Sequence, residues 1–316
     1  MAFVHADTVL LFALFSYRYL RSGQLAKLSG RSGQVVRRRM RELIRLGYVV
    51  SLKRIPMCEM VYALGPKGWE HVAKELDTQP SKLPYSRSTV KSAETLFLQH
   101  TLLTNDVRIA FDCALRDHDL VAMKRSVPEW ELANPEAKKP AEKYVLAEDL
   151  KLKNGSKKRT IRFRPDCMFI LYPKQQGPQY AASLFLESDR GTESVAGRIR
   201  EKYFSYMIYF QRCQYWEKWK TGKMRVLFVI EDGHPATRIA RMQEELRAIA
   251  IELGDPDPEE GGNGKAAFVH SFRFCDASML TEQSVIDEKI WTDWRGRDVA
   301  LFSRPANSDS GEGVNV

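Results

Sequence analysis

Two short apolar runs in the middle of the chain carry acidic residues at their ends. Asp166 stands just before residues 168–171, and Glu187 and Asp189 follow residues 184–186. Runs of this length predict β-strands, and because strand side chains alternate between faces, residues 187 and 189 should share a face. If the two strands pair in antiparallel fashion, the three carboxylates converge. Acidic patches of this kind bind Mg²⁺ or Mn²⁺, which activates water and stabilises charge on a phosphate.

Each of these carboxylates also has a purely structural interpretation. Charged residues are common at strand ends, and one interpretation of Asp189 beside Arg190 is a simple surface ion pair, which contributes little to stability. The residue types alone therefore leave two interpretations open, a metal site and a solvated strand end.

The combination of these residues carries more information than each one alone. Pro165-Asp166 entering one strand, with Glu187-x-Asp189 leaving another 21 positions later, resembles the core of the PD-(D/E)xK nuclease fold. In that family the Asp and the Glu bind the metal, and a Lys two residues after the Glu activates water. Asp189 stands at the position of that Lys here. Some members of the fold carry the Lys on the following helix, and the resemblance then implies Lys202.

The composition indicates a soluble globular protein with a basic N-terminal quarter. The 316 residues are 44% hydrophobic and 28% charged, enough for two domains with separate cores. The formal net charge is +9, and residues 1–80 hold 13 Lys and Arg against 6 Asp and Glu. This asymmetry predicts a polyanionic partner. Five scattered cysteines and the lack of a long apolar run favour a cytoplasmic protein without a disulfide framework, a zinc site or a membrane partner.

Three helices and then a two-stranded hairpin are predicted in residues 1–78, as in a winged helix-turn-helix domain. The third helix runs from Ser32 to Leu46, with Val36 and Met40 on its apolar face. In such a domain this helix enters the major groove of double-stranded DNA. The alternative is a solvated basic face on a protein–protein module. The predicted DNA contacts are base edges for Gln34, Arg37 and Arg38, and phosphates for Arg41, Arg45, Lys53 and Arg54.

The rest of the chain predicts an α/β (α+β) domain around one central mixed sheet. Residues 79–92 are polar, contain several Pro and Ser, and are predicted to link the first domain to a second one at residues 93–303. The elements of the second domain follow the order α-β-β-β-α-β-α-β, which suits an α/β sandwich. The resemblance to the PD-(D/E)xK fold implies that this sandwich is restriction-endonuclease-like. Residues 304–316 are rich in Ser, Gly and Asn and are predicted to be disordered.

Over residues 5–250 the whole pattern resembles the plasmid replication-relaxation family. That family is similar to the C class of plasmid mobilisation relaxases, which pair a winged helix with a nuclease-like domain. The resemblance implies work on plasmid or integrative-element DNA, by nicking or binding at an origin of transfer or replication, with Asp166, Glu187 and Asp189 as the metal-binding site. The matching segments are the N-terminal winged helix, Val61-Tyr-Ala-Leu-Gly-Pro-Lys-Gly68, Asn105-Asp106-Val-Arg108, Arg164-Pro-Asp166 and Glu187-x-Asp189-Arg-Gly-Thr-Glu193.

Two functional hypotheses stay open on the sequence. In the first, the protein is a metal-dependent DNA nickase in which Asp166 and Glu187 hold Mg²⁺ or Mn²⁺, and Lys202 or a metal-bound water completes the chemistry. In the second, the nuclease-like domain is a scaffold and the protein is a replication initiator or transcriptional regulator. Asp189 at the Lys position favours the second, whereas three carboxylates beside basic residues favour the first. Double-stranded DNA is the expected partner of both, with other plasmid-transfer or replication proteins and a second copy of the chain as further candidates.

Overall fold

In the computed structural model the chain forms two units, and each unit contains a β-sheet. The chain divides into two units, Met1–Ile109 and Ala110–Val316. The structure describes residues 3–52, 59–83, 95–132, 134, 146–151, 158–212, 214–253 and 267–302.

Helices and short strands alternate in the N-terminal unit. Its three strands form an antiparallel sheet in the order β1-β3-β2, and residues 53–58, between β2 and β3, lie outside the described residues. The elements are α1 (Thr8–Tyr17), β1 (Leu20–Arg21), α2 (Ser22–Ser29), α3 (Gly33–Arg45), β2 (Val49–Ser51), β3 (Val61–Leu64) and α4 (Pro66–Glu75).

The third helix is amphipathic. The Ser32 hydroxyl caps α3 by accepting a hydrogen bond from the Val35 N–H at 3.4 Å. Val36, Met40 and Leu43 are fully buried on one side of the helix. These residues recur at intervals of three and four, as one face of a helix requires. The observed helix and the burial of these side chains confirm the predicted helix and its buried face.

A buried ion pair joins the start of α1 to α3. The Asp7 carboxylate accepts hydrogen bonds from Arg39 Nε at 2.6 Å and from its terminal nitrogen at 2.5 Å. Burial raises the pKa of Asp7, but the hydrogen bonds from Arg39 and from the Val4 N–H outweigh it, so that the net pKa is lowered. Arg39 therefore belongs to the core of this unit, unlike the other arginines of α3.

A long helix, α5 (Thr95–Leu115), supplies residues to both units because the chain divides after Ile109. Asn105 donates to the carbonyl oxygens of Tyr17 at 3.0 Å and Tyr19 at 2.7 Å. Asp106 accepts from Gln24 at 2.8 Å and pairs with Arg21. Residues 95–109 thus group with the N-terminal elements, whereas the sequence placed them in a second domain starting at residue 93. Most of the predicted linker 79–92 lies outside the described residues.

We expect a fragment of residues 1–115 to unfold cooperatively and a fragment of residues 1–78 to be less stable. The shorter fragment lacks Asn105, and removing a donor from buried backbone carbonyls costs about 1–3 kcal/mol. Urea denaturation followed by circular dichroism measures the difference. Asn105→Ala in the longer fragment should reproduce part of the loss. Thr101→Ala is the control, because its hydroxyl bonds only to its own helix. Equal stability of the two fragments would show that 95–109 is not part of this unit.

The second unit contains a mixed sheet of seven strands, in the order β12-β11-β10-β9-β8-β7-β4. Strands β8, β9 and β10 are parallel to one another, and the other neighbours pair in antiparallel fashion. A separate hairpin is formed by β5 and β6. The central mixed sheet predicted from the sequence is confirmed. The strands are β4 (Val121–Pro128), β5 (Leu146–Lys151), β6 (Lys158–Phe163), β7 (Cys167–Pro173), β8 (Ala182–Asp189), β9 (Lys223–Ile230), β10 (Phe272–Asp276), β11 (Trp291–Thr292) and β12 (Asp298–Val299).

Helices cover one face of this sheet, where Phe185, Phe228 and Phe272 pack with Tyr203 and Met242 in one core. Among the described residues, none of the helices combines the length and the apolar character needed to cross a bilayer. The tail at 304–316 falls outside the described part of the chain. The helices of this unit, besides the end of α5, are α6 (Glu129–Leu132), α7 (Arg200–Gln211), α8 (Gln214–Trp219) and α9 (Pro235–Glu252).

The segment predicted as one helix over 194–220 is divided. It begins with a π-helical turn, Val195–Ile199, in which the Ile199 N–H donates to the Ser194 carbonyl five residues earlier, at 3.2 Å. The Ser194 hydroxyl accepts from the Arg198 N–H at 3.4 Å and caps the turn. The chain then continues as α7, which ends at Gln211, and α8 begins at Gln214.

Candidate functional site

Asp166 and Glu187 lie opposite each other on neighbouring antiparallel strands. Cys167 pairs with Leu186 in the register of β7 and β8, and the Asp166 N–H donates to the Leu186 carbonyl at 3.0 Å. The Asp166 carboxylate accepts a hydrogen bond from the Ser188 N–H at 2.7 Å. The antiparallel pairing expected from the sequence is therefore present, and it brings these two carboxylates to one end of the strand pair.

Glu187 is buried, with 2% of its surface exposed, and two side chains from α7 contact it. Tyr206 donates its hydroxyl hydrogen to Oε1 at 2.6 Å. Lys202 Nζ lies 3.0 Å from Oε2 and 2.8 Å from a carboxylate oxygen of Glu193. Lys202 and Tyr206 are one helical turn apart on α7 and so reach the same carboxylate. The structure thus brings three of the predicted residues together, Asp166, Glu187 and Lys202.

The charges of this cluster are strongly coupled. Burial and the negative charge of Asp166 together raise the pKa of Glu187 to about 7. The positive charge of Lys202 and the hydrogen bond from Tyr206 lower this pKa, but by less. Burial alone would lower the pKa of Lys202, but the carboxylates of Glu187, Asp166 and Glu193 outweigh it and raise that pKa. Lys202 is consequently a persistent positive charge at neutral pH. Burial also raises the pKa of Tyr206 well above its usual value, which keeps its hydroxyl protonated as a donor to Glu187.

Asp189 does not join the other two carboxylates. It is buried, and Arg238 of α9 donates to its two oxygens at 2.5 and 2.9 Å. The Gly191 N–H adds a further hydrogen bond at 3.0 Å. Within the described ranges, no group of three His, Cys, Asp or Glu side chains could hold a metal ion. The expected three-carboxylate patch is not formed because Arg238 occupies the oxygens of Asp189.

The Asp189–Arg238 pair instead fixes the loop between β8 and the π turn. Arg238 also donates to the Glu193 carbonyl at 2.7 Å. Gly191 has a positive φ of 72°, and a side-chain carbon there would meet the Asp232 carboxylate at 2.9 Å, so glycine is required. This loop carries Glu193, the second partner of Lys202. No local pattern in the sequence points to Arg238, Glu193 or Tyr206, since their contacts depend on the packing of α7 and α9.

A second candidate interface lies on the outer face of α3. Arg37, Arg38 and Arg41 are exposed and form no hydrogen bond or ion pair with other residues in the described part of the chain. Arg45 is also exposed but pairs with Glu42 at 3.2 Å. Gln34 lies on the same exposed side. Lys53 and Arg54, predicted as phosphate contacts on the hairpin, lie outside the described residues.

A family model described as replication-relaxation matches residues 11–227, which is more than half of the chain. The chain belongs to the replication-relaxation family. Membership of this family indicates a role in plasmid replication or relaxation. Both candidate sites, the outer face of α3 and the Asp166–Glu187–Lys202 cluster, lie inside the span that the replication-relaxation model matches. No match to a curated protein was found.

Proposed function

We propose that the protein binds DNA of a plasmid or integrative element and nicks one strand at an origin of transfer or replication. One observation carries the proposal: a protonated lysine lies 3.0 Å from a buried carboxylate, and a second carboxylate stands opposite on the neighbouring strand. Carboxylates and a cation at one strand end suit the cleavage of a phosphodiester. The test is conversion of supercoiled plasmid carrying the element's own origin to the open circular form.

The N-terminal unit supplies the proposed DNA-reading surface. Its order of helix, strand, helix, helix and hairpin, with α2 packed beside α3, supports a winged helix-turn-helix. In that arrangement α3 enters the major groove, and its exposed guanidinium groups meet base edges and phosphates. The three exposed arginines without a carboxylate partner in the described residues, Arg37, Arg38 and Arg41, favour a polyanion over a surface stabilised by ion pairs.

Asp166 and Glu187 fit the binding of one divalent cation. Both offer carboxylate oxygens, and the negative charge of Asp166 contributes, after burial, to the raised pKa of Glu187. A cation beside the two carboxylates would reduce their mutual repulsion. Mg²⁺ in phosphoryl-transfer sites often takes only one or two protein carboxylates and completes its coordination with water and phosphate oxygens. Bound there, Mg²⁺ or Mn²⁺ would supply Lewis-acid stabilisation of the phosphate and activation of water.

The role proposed for Lys202 follows from its charge. Because three carboxylates keep it protonated, Lys202 is suited to stabilising negative charge on the scissile phosphate, not to taking a proton from water. Glu187 and Glu193 hold its ammonium group in place. In this proposal Tyr206 orients Glu187 through the hydrogen bond to Oε1. Asp189 positions the loop that carries Glu193 and is not a cation ligand.

A second candidate function is that of a non-catalytic DNA-binding initiator or regulator. One observation favours it: Glu187 has 2% exposure, and each of its oxygens already has a partner within the protein. In addition, both carboxylate oxygens of Asp189 accept hydrogen bonds from Arg238. In this case the second unit is a scaffold and the protein acts through α3. Nicking of the origin DNA separates the two candidates, because both require DNA binding and only the first requires cleavage.

We expect Arg38→Ala and Arg41→Ala to weaken DNA binding in different ways. Loss of Arg38 should cost about 1–3 kcal/mol at the preferred site and relax the sequence preference. Loss of Arg41 should weaken binding to all sequences alike and reduce the dependence of log affinity on log salt by about one. Titration of labelled duplexes at several salt concentrations measures both effects, with exposed Arg198 on the second unit as the matched control. Unchanged affinity in both α3 variants would exclude this helix as the DNA-reading element.

A further inference from the structure

Two arginines, Arg225 on β9 and Arg273 on β10, lie close together on the central sheet. Arg273 pairs with Leu227 in the parallel register of β9 and β10, so Arg225 and Arg273 are diagonal neighbours on the same face. Glu187 pairs with Phe228, three residues further along β9 than Arg225, which is about 10 Å along the strand. Because Phe228 and its neighbours on alternate positions face the helices, the two arginines lie on the other face.

Arg273 is half-buried and has no carboxylate partner among the described residues. One terminal nitrogen donates to the carbonyl oxygens of His270 at 2.9 Å and Phe272 at 2.7 Å. Burial lowers the pKa of Arg273 to about 10, and the positive charge of Arg225 adds to this effect. Burial also lowers the pKa of Arg225. The guanidinium groups of Arg225 and Arg273 thus repel each other in an environment that is partly shielded from water.

The negative charge of Asp293 acts on Arg273 and His270, but the Asp293 carboxylate is hydrogen-bonded within its own turn. Its oxygens accept from Arg297 Nε at 2.8 Å and from the backbone N–H groups of Arg295 at 2.9 Å and Arg297 at 3.0 Å. The terminal nitrogen of Arg297 lies 2.7 Å away as well. Asp293 therefore pairs with Arg297, and its charge offsets that of Arg273 only in part, since burial and Arg225 still leave the pKa of Arg273 lowered.

His270 adds a neutral donor to this cluster. The Trp294 indole N–H donates to His270 Nδ1 at 3.4 Å, and since an indole nitrogen can only donate, Nδ1 must accept. The hydrogen of the neutral ring is then on Nε2. Burial, followed by the charges of Arg273 and Arg297, lowers the pKa of His270 and favours this neutral form. Nε2–H has no acceptor in the part of the chain that the structure describes.

We propose that Arg225, Arg273 and His270 form a binding site for a phosphate group. An oxyanion between the two guanidinium groups removes their mutual repulsion and matches the planar fork of their N–H donors. The phosphate can belong to a nucleic-acid backbone or to a free phosphate or nucleotide. We assign the phosphate to the DNA backbone, and this assignment rests on the proposed function. The existence of the phosphate site is independent of that function. Arg225 lies inside the span matched by the family model, whereas Arg273 and His270 lie beyond it, so the match does not include the complete site.

The first experimental arm measures the melting temperature of the full chain in inorganic phosphate and in chloride of equal ionic strength. Phosphate should raise the melting temperature of the wild type and should not raise that of Arg273→Gln or Arg225→Gln. Without phosphate, Arg273→Gln should melt no lower than the wild type, because the repulsion is gone. Arg241→Gln, at an exposed position of α9, removes the same charge and should respond to phosphate as the wild type does. Arg273→Lys keeps the charge and tests whether the planar fork is needed.

The second arm measures binding of a DNA duplex at several salt concentrations. Loss of one phosphate contact should reduce the slope of log affinity against log salt by about one in Arg273→Gln, with no change in Arg241→Gln. A phosphate response that disappears in Arg273→Gln while this slope stays constant supports the site and overturns its assignment to DNA. If the wild type binds no DNA, the proposed function fails and the first arm still decides the phosphate site. Equal phosphate responses in the wild type and both glutamine variants would overturn the proposal.

Discussion

We expect replacement of Lys202 by methionine to lower the rate of DNA nicking by about 10²–10³-fold. The ammonium group lies 3.0 Å from Glu187 and 2.8 Å from Glu193, and these carboxylates hold it charged at neutral pH. Methionine keeps the apolar stem of the side chain and removes the charge that would stabilise the phosphate. Affinity for DNA should change little, because the proposed reading surface is on α3. The measurement is the initial rate of open-circle formation, with duplex affinity determined in parallel.

Two further variants make this result specific to the charge of Lys202. Lys202→Arg keeps a positive charge near Glu187 and should retain more activity than Lys202→Met. Arg198→Met removes a charge from the preceding π turn, where the side chain is 67% exposed and pairs with Glu201 alone among the charged side chains that the structure describes, so it should nick at the wild-type rate. A Lys202→Met protein that nicks as fast as the wild type would contradict the proposed role.

Asp189→Asn should destabilise the protein by up to about 3–5 kcal/mol, because it removes the carboxylate that accepts two hydrogen bonds from the buried guanidinium of Arg238 and leaves the more distant Asp232, at 4.0 Å, as its ion partner. The side chains of this pair are only 2% and 9% exposed, so water cannot replace the lost partner effectively. Chemical denaturation of the full chain, with a probe in the second unit such as tryptophan fluorescence, measures the loss.

A double replacement and a chelator separate a structural role of Asp189 from a role as metal ligand. Asp189→Leu combined with Arg238→Met removes both charges and should recover much of the lost stability, as apolar replacements of buried pairs often do. The destabilisation by Asp189→Asn should be the same in EDTA and in Mn²⁺. A loss of stability that appears only with the metal would mean that Asp189 is a ligand after all.

Local patterns predicted the elements that carry the candidate residues. The buried face of α3 follows from the spacing of Val36, Met40 and Leu43, which is a property of one helix alone. The opposition of Asp166 and Glu187 follows from two apolar runs joined by a short loop, since such runs pair in antiparallel fashion. Both inferences depend only on residues close in sequence.

Contacts between distant segments could not be predicted in the same way. Asp189 and Arg238 are 49 positions apart, and nothing in either local sequence shows that α9 brings them together. Asn105 binds carbonyls of Tyr17 and Tyr19 more than 80 positions earlier, which is why the division after Ile109 was not foreseen. The two-residue strands β11 and β12 are too short to give a periodic signal.

The most direct test of metal-dependent nicking uses supercoiled plasmid that carries the element's own origin, incubated with purified protein in Mn²⁺ or in EDTA. The proposal predicts open circular product with the wild type in Mn²⁺, none in EDTA, and none with Asp166→Ala or Glu187→Gln in either condition. Each variant must still bind the origin duplex, which shows that α3 remains folded and functional. Wild-type protein that binds the origin tightly yet leaves the plasmid supercoiled in Mn²⁺ would contradict the proposal and leave the second unit as a scaffold.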